Sequence, residues 1–301
     1  MSSIFDTNTY KKARGFIYRN ARPICLAQWN YHFEGEKKEE VLKALSFYQN
    51  IDGGFGYGLE ADSFNPNSNP VQTWYALNII QSLGGIDPNS PMIKAVLYYL
   101  ANSKDFDGDF WHAVTPSNND YPHAPWWHYN ANYEPGYNPT AGLAGFYIAY
   151  GDKNDKFYNK ALKITKAAIK YFMVLDVVEI HLLNNYIELY NYVNNIINLP
   201  DDFFNKFKYH VNKNIEYNIS LWNTYVTKPS MYIKNMQFYQ GNEEIVAKEC
   251  EYILSTQLKN GAWDISWRWN NYPEDFAISK LYWQCETALN NILFLKNFYE
   301  V

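Results

Sequence analysis

The feature that most constrains the fold is a short motif that returns along the chain. Gln49–Phe55 reads Q-N-I-D-G-G-F, Gln257–Trp263 reads Q-L-K-N-G-A-W, and Lys104–Phe110 is a weaker copy with Lys in the place of Gln. Asp or Asn followed by Gly suits a tight turn with positive φ, so we interpret the copies as clasps that close helical hairpins. The turn residues of successive copies are 55 and 153 positions apart. A period of about 50 residues predicts roughly six helical hairpins in a chain of this length.

Helix-period patterns fill most of the sequence between the clasps. Within 37–49, for example, Val41, Leu42 and Leu45 share one face, and no equally long alternating pattern indicates a strand. Helices are predicted near 7–19, 22–33, 37–49, 70–83, 90–102, 139–150, 155–173, 178–198, 201–219, 242–257 and 280–298, with a weaker candidate near 230–239. A hydrophobic content of 47% is enough to fill one large core. We therefore predict an all-α protein with a single domain, residues 1–301.

Charge and cysteine usage exclude several classes of function. The 26 basic and 31 acidic side chains give a net charge of −5, which removes the attraction on which most nucleic-acid binding depends. No apolar run approaches the length of about 18 residues that a membrane-spanning helix needs. The cysteines Cys25, Cys250 and Cys285 are odd in number and lack C-x-x-C spacing, which is typical of reduced thiols. We expect a cytoplasmic protein that binds no nucleic acid and has no membrane-spanning segment.

The clasps resemble a known repeat. The strings QNIDGGFG and STQLKNGAW are similar to the Q-x-x-x-G-x-W motif of the terpenoid cyclase and protein prenyltransferase superfamily. Three further strings, GGFGYGLEAD, NDYPHAPWW and YNPTAGLAG, resemble bacterial proteins labelled prenyltransferase-like or squalene-cyclase-like. The resemblance implies an α/α toroid in which about six hairpins form inner and outer rings of helices. A shared fold does not transfer chemistry.

The catalytic motifs of that superfamily are absent from the sequence. Class II cyclases use D-x-D-D, and the nearest string here is Asp105–Asp109, D-F-D-G-D, inside a clasp. Class I enzymes use D-D-x-x-D, whereas Asp201–Asn205 reads D-D-F-F-N and suits the start of a helix. No cysteine has the Asp of the zinc-binding Asp-x-Cys pair, and Cys285–Thr287 replaces the Cys-Gly-Glu-Gln of thioester domains. We therefore expect no cofactor and no structural zinc.

The most enzyme-like part of the sequence is the loop-rich stretch 53–138. Long ordered loops at one end of a helical barrel often carry substrate sites. Glu60, Asp62, Asp120 and His123 lie there among aromatic residues. A carboxylate beside apolar rings can have its pKa raised towards that of a general acid, and a nearby His can relay protons. We predict these four as catalytic acids or bases; the alternative is that Glu60 and Asp62 brace loop backbone by hydrogen bonds.

Aromatic side chains supply candidate contacts to a substrate. These are Tyr57, Trp111, Trp126, Trp127 and Trp267. The last of them belongs to an alternating run, W-D-I-S-W-R-W, which would place three indoles on one face if it were extended. Such a face could stack on a sugar or stabilise a carbocation, and it could equally form a lid on the core.

Three histidines in this stretch are candidate metal ligands. His112, His123 and His128 lie within 17 positions of one another, and with Asp120 or Glu134 they could in principle bind a divalent metal. Their spacing matches no common ligand signature, so no metal ligand is predicted.

Three hypotheses about function follow from these residues. The leading one is an acid–base enzyme that acts on an isoprenoid or another apolar small molecule, as the resemblance implies. The second is a hydrolase or lyase that acts on carbohydrate, since helical barrels with carboxylates and indoles also serve that chemistry. The third is a non-catalytic module that binds a small molecule or a protein, and the missing family motifs favour it.

Overall fold

The computed structural model describes residues 4–234 and 236–299, and in that part of the chain it has α-helices, short 3-10 turns and no strand. The helices are α1 (Asn8–Asn20), α2 (Pro23–Phe33), α3 (Lys38–Ser46), α4 (Pro70–Ser82), α5 (Pro91–Asn102), α6 (Tyr137–Tyr150), α7 (Lys156–Val174), α8 (Ile180–Val193), α9 (Phe203–Asn214), α10 (Glu243–Thr256) and α11 (Pro273–Phe298). The prediction of an all-α protein is confirmed. The toroidal arrangement of the helices stays a prediction.

Helix starts follow the local sequence. Pro70 and Pro91 occupy the first turns of α4 and α5, and the Asn69 and Ser90 side chains accept hydrogen bonds from backbone N–H groups of those turns. α11 begins at Pro273, earlier than the predicted 280, because a proline and two acidic residues already form a favourable first turn there. The weaker candidate near 230–239 consists of two short 3-10 turns rather than an α-helix.

The chain divides into two compact units. The terminal unit contains Met1–Leu45 and Asn214–Val301, and the central unit contains Ser46–Lys213. In the terminal unit α11 packs against α1, α2 and α10. In the central unit α6 packs against α4, α5, α7 and α8, and its residues from Pro139 to Ile148 are all buried. α6 therefore forms the centre of the core that supports the loops before it. That residues 1–301 form one domain stays a prediction.

A buried ion pair joins two helices of the terminal unit. Arg22 precedes α2, and its guanidinium donates a 2.7 Å hydrogen bond to the Glu286 carboxylate on α11. Both side chains are buried, and the guanidinium also lies over the Tyr282 ring at 4.5 Å. A buried charge is tolerated when an opposite charge and hydrogen bonds compensate it.

The two stronger clasps have the same hydrogen bonds. The Gln49 side-chain amide donates to the Gly53 carbonyl (2.9 Å), and the Gln257 amide donates to the Gly261 carbonyl (3.1 Å). The turn residue of each copy accepts a bond from the backbone N–H two positions later, at 3.0 Å for Asp52 and 3.1 Å for Asn260. The structure thus confirms the repeat at the level of individual atoms.

Each of these clasps also donates a hydrogen bond to another helix, and in both copies the acceptor is the second residue of that helix. The Gln49 amide donates to the carbonyl of Met92 (3.2 Å), the second residue of α5, and the Gln257 amide donates to that of Thr9 (3.0 Å), the second residue of α1. The clasp between α3 and α4 therefore holds α5, and the clasp between α10 and α11 holds α1. In the terminal unit, α1 therefore has the same relation to the clasp before α11 as α5 has to the clasp before α4.

The third copy is looser, as its sequence suggests. Lys104 replaces the Gln, and the turn is held by Asp107, whose carboxylate accepts from the backbone N–H groups of Asp109 and Phe110, each at 2.8 Å. The indole of Trp111 donates to the Leu100 carbonyl (3.1 Å). The stronger clasp at the end of the chain has the matching bond from its indole, at 2.8 Å.

Candidate functional site

The predicted catalytic residues fall in two irregular segments of the central unit, one before α4 and one before α6. We call residues 59–65 and 117–130 together the loop cluster. Neither segment has regular secondary structure beyond two short 3-10 turns. Loops of this length inside a helical unit stay ordered only when side chains satisfy their backbone polar groups.

A short antiparallel contact joins the two segments. The Phe64 N–H donates to the Pro122 carbonyl (2.9 Å), and the Ala124 N–H donates to the Asp62 carbonyl (2.8 Å). The contact pairs Ser63 with His123 and leaves Asp62 opposite Ala124, and both Asp62 and His123 are buried. Two of the four predicted catalytic residues therefore lie on paired segments.

Glu60 ties the two segments together. Its side chain is 6% exposed, and one carboxylate oxygen, Oε2, accepts from the Asp62 backbone N–H (3.1 Å) and from the Trp127 indole N–H (3.0 Å). Its own backbone N–H donates to the side chain of Gln72 (3.3 Å). These contacts support the alternative that Glu60 braces the loops.

Buried amides complete this framework, and the sequence analysis missed them. The Gln72 side chain donates to the carbonyls of Ser63 (3.1 Å) and Asn65 (3.3 Å). The Asn65 side chain in turn donates to Asn118 Oδ1 (2.9 Å) across the loop cluster. The available signal was the asparagine content of the strings N-P-N-S-N-P and S-N-N-D, because amides both donate and accept where loop backbone is buried.

Two imidazoles form a hydrogen-bonded pair. Nε2 of the buried His123 lies 3.1 Å from Nδ1 of the exposed His128, and the rings stack with centroids 5.3 Å apart. His123 Nδ1 lies 2.6 Å from the Tyr121 carbonyl oxygen. A carbonyl oxygen only accepts, so His123 Nδ1 carries the hydrogen of that bond. When His123 is neutral, its Nε2 must then accept from His128 Nδ1–H.

The backbone on both sides of His128 is clamped. The Asn118 side chain donates to the Trp127 carbonyl (2.9 Å). On the other side, the Asn119 side chain donates to the Tyr129 carbonyl (2.9 Å) and accepts from the Tyr129 N–H (2.8 Å). The exposed imidazole of His128 therefore belongs to a segment whose backbone is fixed by hydrogen bonds to the Asn118 and Asn119 side chains.

The Trp127 side chain packs against α4 and the loop that precedes the segment. It contacts a small apolar cluster of Val71, Ala113 and Val114, together with Tyr133. Its nitrogen is occupied by Glu60, as described above. Its ring therefore fixes the loop cluster onto α4 and can offer only part of its surface to a ligand.

The other predicted aromatic contacts differ in accessibility. Trp126 and Tyr57 are 45% and 55% exposed, and Tyr57 has a positive φ of 58°. Trp111 is fully buried and stacks on Phe106 at 4.6 Å, so it belongs to the packed core beside the third clasp. Of these three, only Trp126 and Tyr57 present surface to a ligand.

Trp267 belongs to the terminal unit. Its segment is irregular rather than extended, so the three indoles of the alternating run do not form a strand face. Its ring meets Trp283 edge-on at 5.4 Å and Tyr225 at 6.1 Å, and its buried nitrogen has no hydrogen-bond partner among the described residues. Whether it contacts a substrate stays a prediction.

Asp120 and the third histidine lie apart from the pair. Asp120 is exposed at the end of the 3-10 turn Pro116–Asp120. His112 Nε2 lies 3.0 Å from the Asp107 carboxylate instead of joining His123 and His128. In residues 4–234 and 236–299, no group of three or more His, Cys, Asp or Glu side chains is arranged to hold a metal ion.

If the predicted residues form one substrate site, they should line a common cavity. A groove of about 830 Å³ in the central unit lies along α7, and none of the predicted site residues lines it. A shared cavity at the loop cluster therefore stays a prediction, and the contacts found there are those of a braced surface.

A buried acid in the terminal unit was not anticipated. Glu249 on α10 is 1% exposed, and its carboxylate accepts from the Ser230 hydroxyl (2.6 Å) and backbone N–H (2.7 Å). Burial raises the pKa of Glu249 to about 7, against the lowering effects of Ser230 and Lys228. Burial also lowers the pKa of Lys228. No sequence signal marks this carboxylate, because Glu249 lies in an ordinary helical pattern.

Comparisons with known proteins add no assignment. No helix in the part of the chain that the structure describes is both long and apolar enough to cross a bilayer. The resemblance to terpenoid cyclases and prenyltransferases rests on the clasps and on the three further strings quoted above. No protein family, curated protein or solved structure matches this chain.

Proposed function

We propose that the loop cluster is an acid–base site for a small molecule, with His128 as the group that contacts the substrate and His123 as its positioning partner. One observation carries the proposal: an exposed imidazole on a clamped segment is hydrogen-bonded to a buried imidazole whose tautomer a carbonyl fixes. General acids and bases in enzymes are often histidines oriented by a second group in this way.

The positions of the hydrogens on the two imidazoles favour base catalysis by His128. If His123 is neutral with its hydrogen on Nδ1, then His128 donates through Nδ1–H and its Nε2 keeps a lone pair. His128 Nε2 makes no hydrogen bond within the described residues, so this lone pair is available. When Nε2 takes a proton from a substrate, the resulting imidazolium stays hydrogen-bonded to His123, which stabilises the charge.

An apolar or partly aromatic substrate fits the surroundings. The exposed indole of Trp126 lies two residues before His128, and aromatic rings bind apolar groups and sugar faces alike. The isoprenoid class that the resemblance implies is compatible with this surface, and a carbohydrate is the alternative substrate class.

The second candidate is a non-catalytic ligand-binding module, and Glu60 favours it. Its carboxylate accepts two hydrogen bonds from the loops, as a structural brace does. In that reading the loop cluster is a rigid platform for recognition, and the imidazole pair contributes hydrogen bonds without transferring protons to a ligand.

A turnover assay with matched variants separates the candidates. Purified protein is incubated with isoprenoid alcohols, isoprenoid diphosphates and oligosaccharides, and products are measured by mass spectrometry. His128→Gln removes the base, while His181→Gln changes another exposed histidine of the central unit, on α8. We expect turnover to disappear in the first variant and persist in the second.

Other outcomes decide against catalysis. Binding that perturbs the NMR signals of Trp126 and His128 without any product would favour the binding module. Turnover that survives His128→Gln would refute the assigned base. Nitrogen NMR of the imidazoles provides an independent check, because the proposal requires the hydrogen of neutral His123 to reside on Nδ1.

A further inference from the structure

The groove along α7 has one apolar wall from the helix and one from the segment after α8. Seven of its ten lining residues are apolar: Leu162, Ile169, Met173, Val174, Ile197, Leu199 and Pro200. The remaining three are Lys166, Lys170 and Asn198. A volume of about 830 Å³ lies within the range of sites that bind small molecules.

The groove borders a row of lysines. α7 contains five lysines and no acidic residue, although the protein as a whole carries a charge of −5. The five are Lys156, Lys160, Lys163, Lys166 and Lys170. Only Lys160 makes a salt bridge within the described residues, to Asp109.

Two of these lysines lie directly in the groove. Lys166 and Lys170 are four positions apart, so they are neighbours on the helix surface and repel each other. Asp201 and Asp202 follow the opposite wall, but neither forms a salt bridge with them in the described part of the chain. An anion placed between the two ammonium groups would relieve this repulsion.

The apolar part of the groove continues beyond the two charges. Met173 and Val174 lie one turn further along α7, and Val174 is 70% exposed. From Leu162 to Val174 the helix rises by about 18 Å. Val174 and Pro200 are exposed, and the other apolar lining residues are partly or fully buried. The groove therefore offers apolar surface beside paired cations, which suits a hydrocarbon chain that carries one anionic head.

We propose that this groove binds a long-chain fatty acid, with the carboxylate between Lys166 and Lys170 and the acyl chain along the apolar wall. The assignment combines charge complementarity at the two lysines with apolar burial of Met173, Val174 and the residues opposite. It is independent of the loop cluster, because no residue of that cluster lines the groove.

Direct titration with hexadecanoate below its micellar concentration tests the proposal. Calorimetry should show one molecule bound per chain. Hexadecanol has the same chain without the charge, and we expect it to bind at least about fivefold more weakly because it loses two exposed ion pairs. Hexadecyltrimethylammonium should bind more weakly still.

Matched variants locate the site. Lys166→Gln with Lys170→Gln should weaken hexadecanoate binding about five- to tenfold and lessen its dependence on salt. Lys156→Gln with Lys163→Gln removes two lysines of the same helix that do not line the groove, and affinity should change less than twofold. Val174→Asn at an exposed position tests the apolar wall without adding a charge and should also weaken binding.

Four results would overturn the proposal. The first is hexadecanoate affinity that is equal in the groove variant and the control variant, and the second is equal affinity for hexadecanol. The third is binding to phosphatidylglycerol vesicles without binding of monomeric hexadecanoate, which would assign the lysine row to a membrane surface. Absence of any binding by correctly folded protein equally refutes it.

Discussion

The clasp glycines allow a stability prediction with a control inside the same unit. Gly53 has a φ of 92°, and a Cβ added there would lie 2.0 Å from the Ala95 carbonyl oxygen on α5. Gly108, in the third clasp, has a similar φ of 108°, but its nearest neighbour would be Lys160 Nζ at 3.8 Å. Gly53→Ala and Gly108→Ala therefore share the backbone strain and differ in the collision with a helix.

The terminal unit offers a second matched pair. Gly261 has a φ of 99°, and its added Cβ would lie 2.2 Å from the Lys12 carbonyl oxygen on α1. Gly241 has a φ of 90° and nothing within 4 Å of an added Cβ. Ala95 and Lys12 are each the fifth residue of their helix, so the two collisions occur at the same register.

The expected free energies follow from these contacts. A left-handed conformation costs an alanine about 1–2 kcal/mol in all four variants. Overpacking against backbone that cannot move aside adds about 1–3 kcal/mol in Gly53→Ala and Gly261→Ala. For a unit of this size, each kcal/mol lowers the melting temperature by about 2–4 °C.

Thermal and urea unfolding, followed by circular dichroism, measure these differences. We expect Gly53→Ala and Gly261→Ala to lose about 1–3 kcal/mol more than their partners, Gly108→Ala and Gly241→Ala. Equal losses within each pair would refute the reasoning, because the clasp would then be only a turn and not a contact with the gripped helix.

Three further predictions test buried polar groups. The folded state binds the Glu249 proton more tightly than the unfolded chain, since burial raises its pKa from 4.5 to about 7. Stability present at low pH should therefore fall by about 3 kcal/mol as pH rises from about 4.5 to 7. In Glu249→Gln this slope should vanish in urea titrations at several pH values, and parallel curves for the two proteins would contradict it. Glu60→Ala should cost about 2–3 kcal/mol, because the Trp127 indole and a backbone N–H lose their acceptor; an unchanged melting temperature would rule out the brace. Arg22→Gln should cost about 3–5 kcal/mol by leaving Glu286 unpaired, and Arg22→Met with Glu286→Leu should recover most of that loss in thermal melts, whereas equal losses would argue against a paired buried charge.

Helices could be predicted because their signals are local. Periodicity and proline placement located each α-helix, and the errors lie mainly at the ends. The predicted helix 37–49 ends at Ser46, since the first clasp takes over the chain there, and the predicted helix 178–198 ends at Val193. The first of these boundaries depends on the contact of the clasp with α5, which no local pattern contains.

The site was harder to predict because its bonds join distant segments without periodicity. Glu60 and Trp127 are 67 positions apart in the sequence, and their bond depends on the antiparallel contact between two irregular loops. Their residue types alone marked Glu60 and Trp127 as candidates. The sequence could not decide whether the Glu60 carboxylate is a catalytic acid or a brace for the loops. The bond between His123 and His128 spans only five positions, yet it requires the turn that Pro125–Trp127 makes between them.

The repeat explains why the two kinds of feature differ in predictability. Each strong clasp is followed by an irregular segment and then by a helix with proline in its first turn, Pro70 in one copy and Pro273 in the other. The clasp must keep Gln and Gly because its amide and its bare backbone contact a helix, so its sequence stays recognisable. The segment that follows is anchored at both ends, and the two copies differ in sequence there. In the central unit it carries Glu60 and Asp62, and in the terminal unit it carries Trp267. The candidate site residues of this chain therefore lie in the irregular segments that follow the clasps, where contact with a helix does not restrict the residue types.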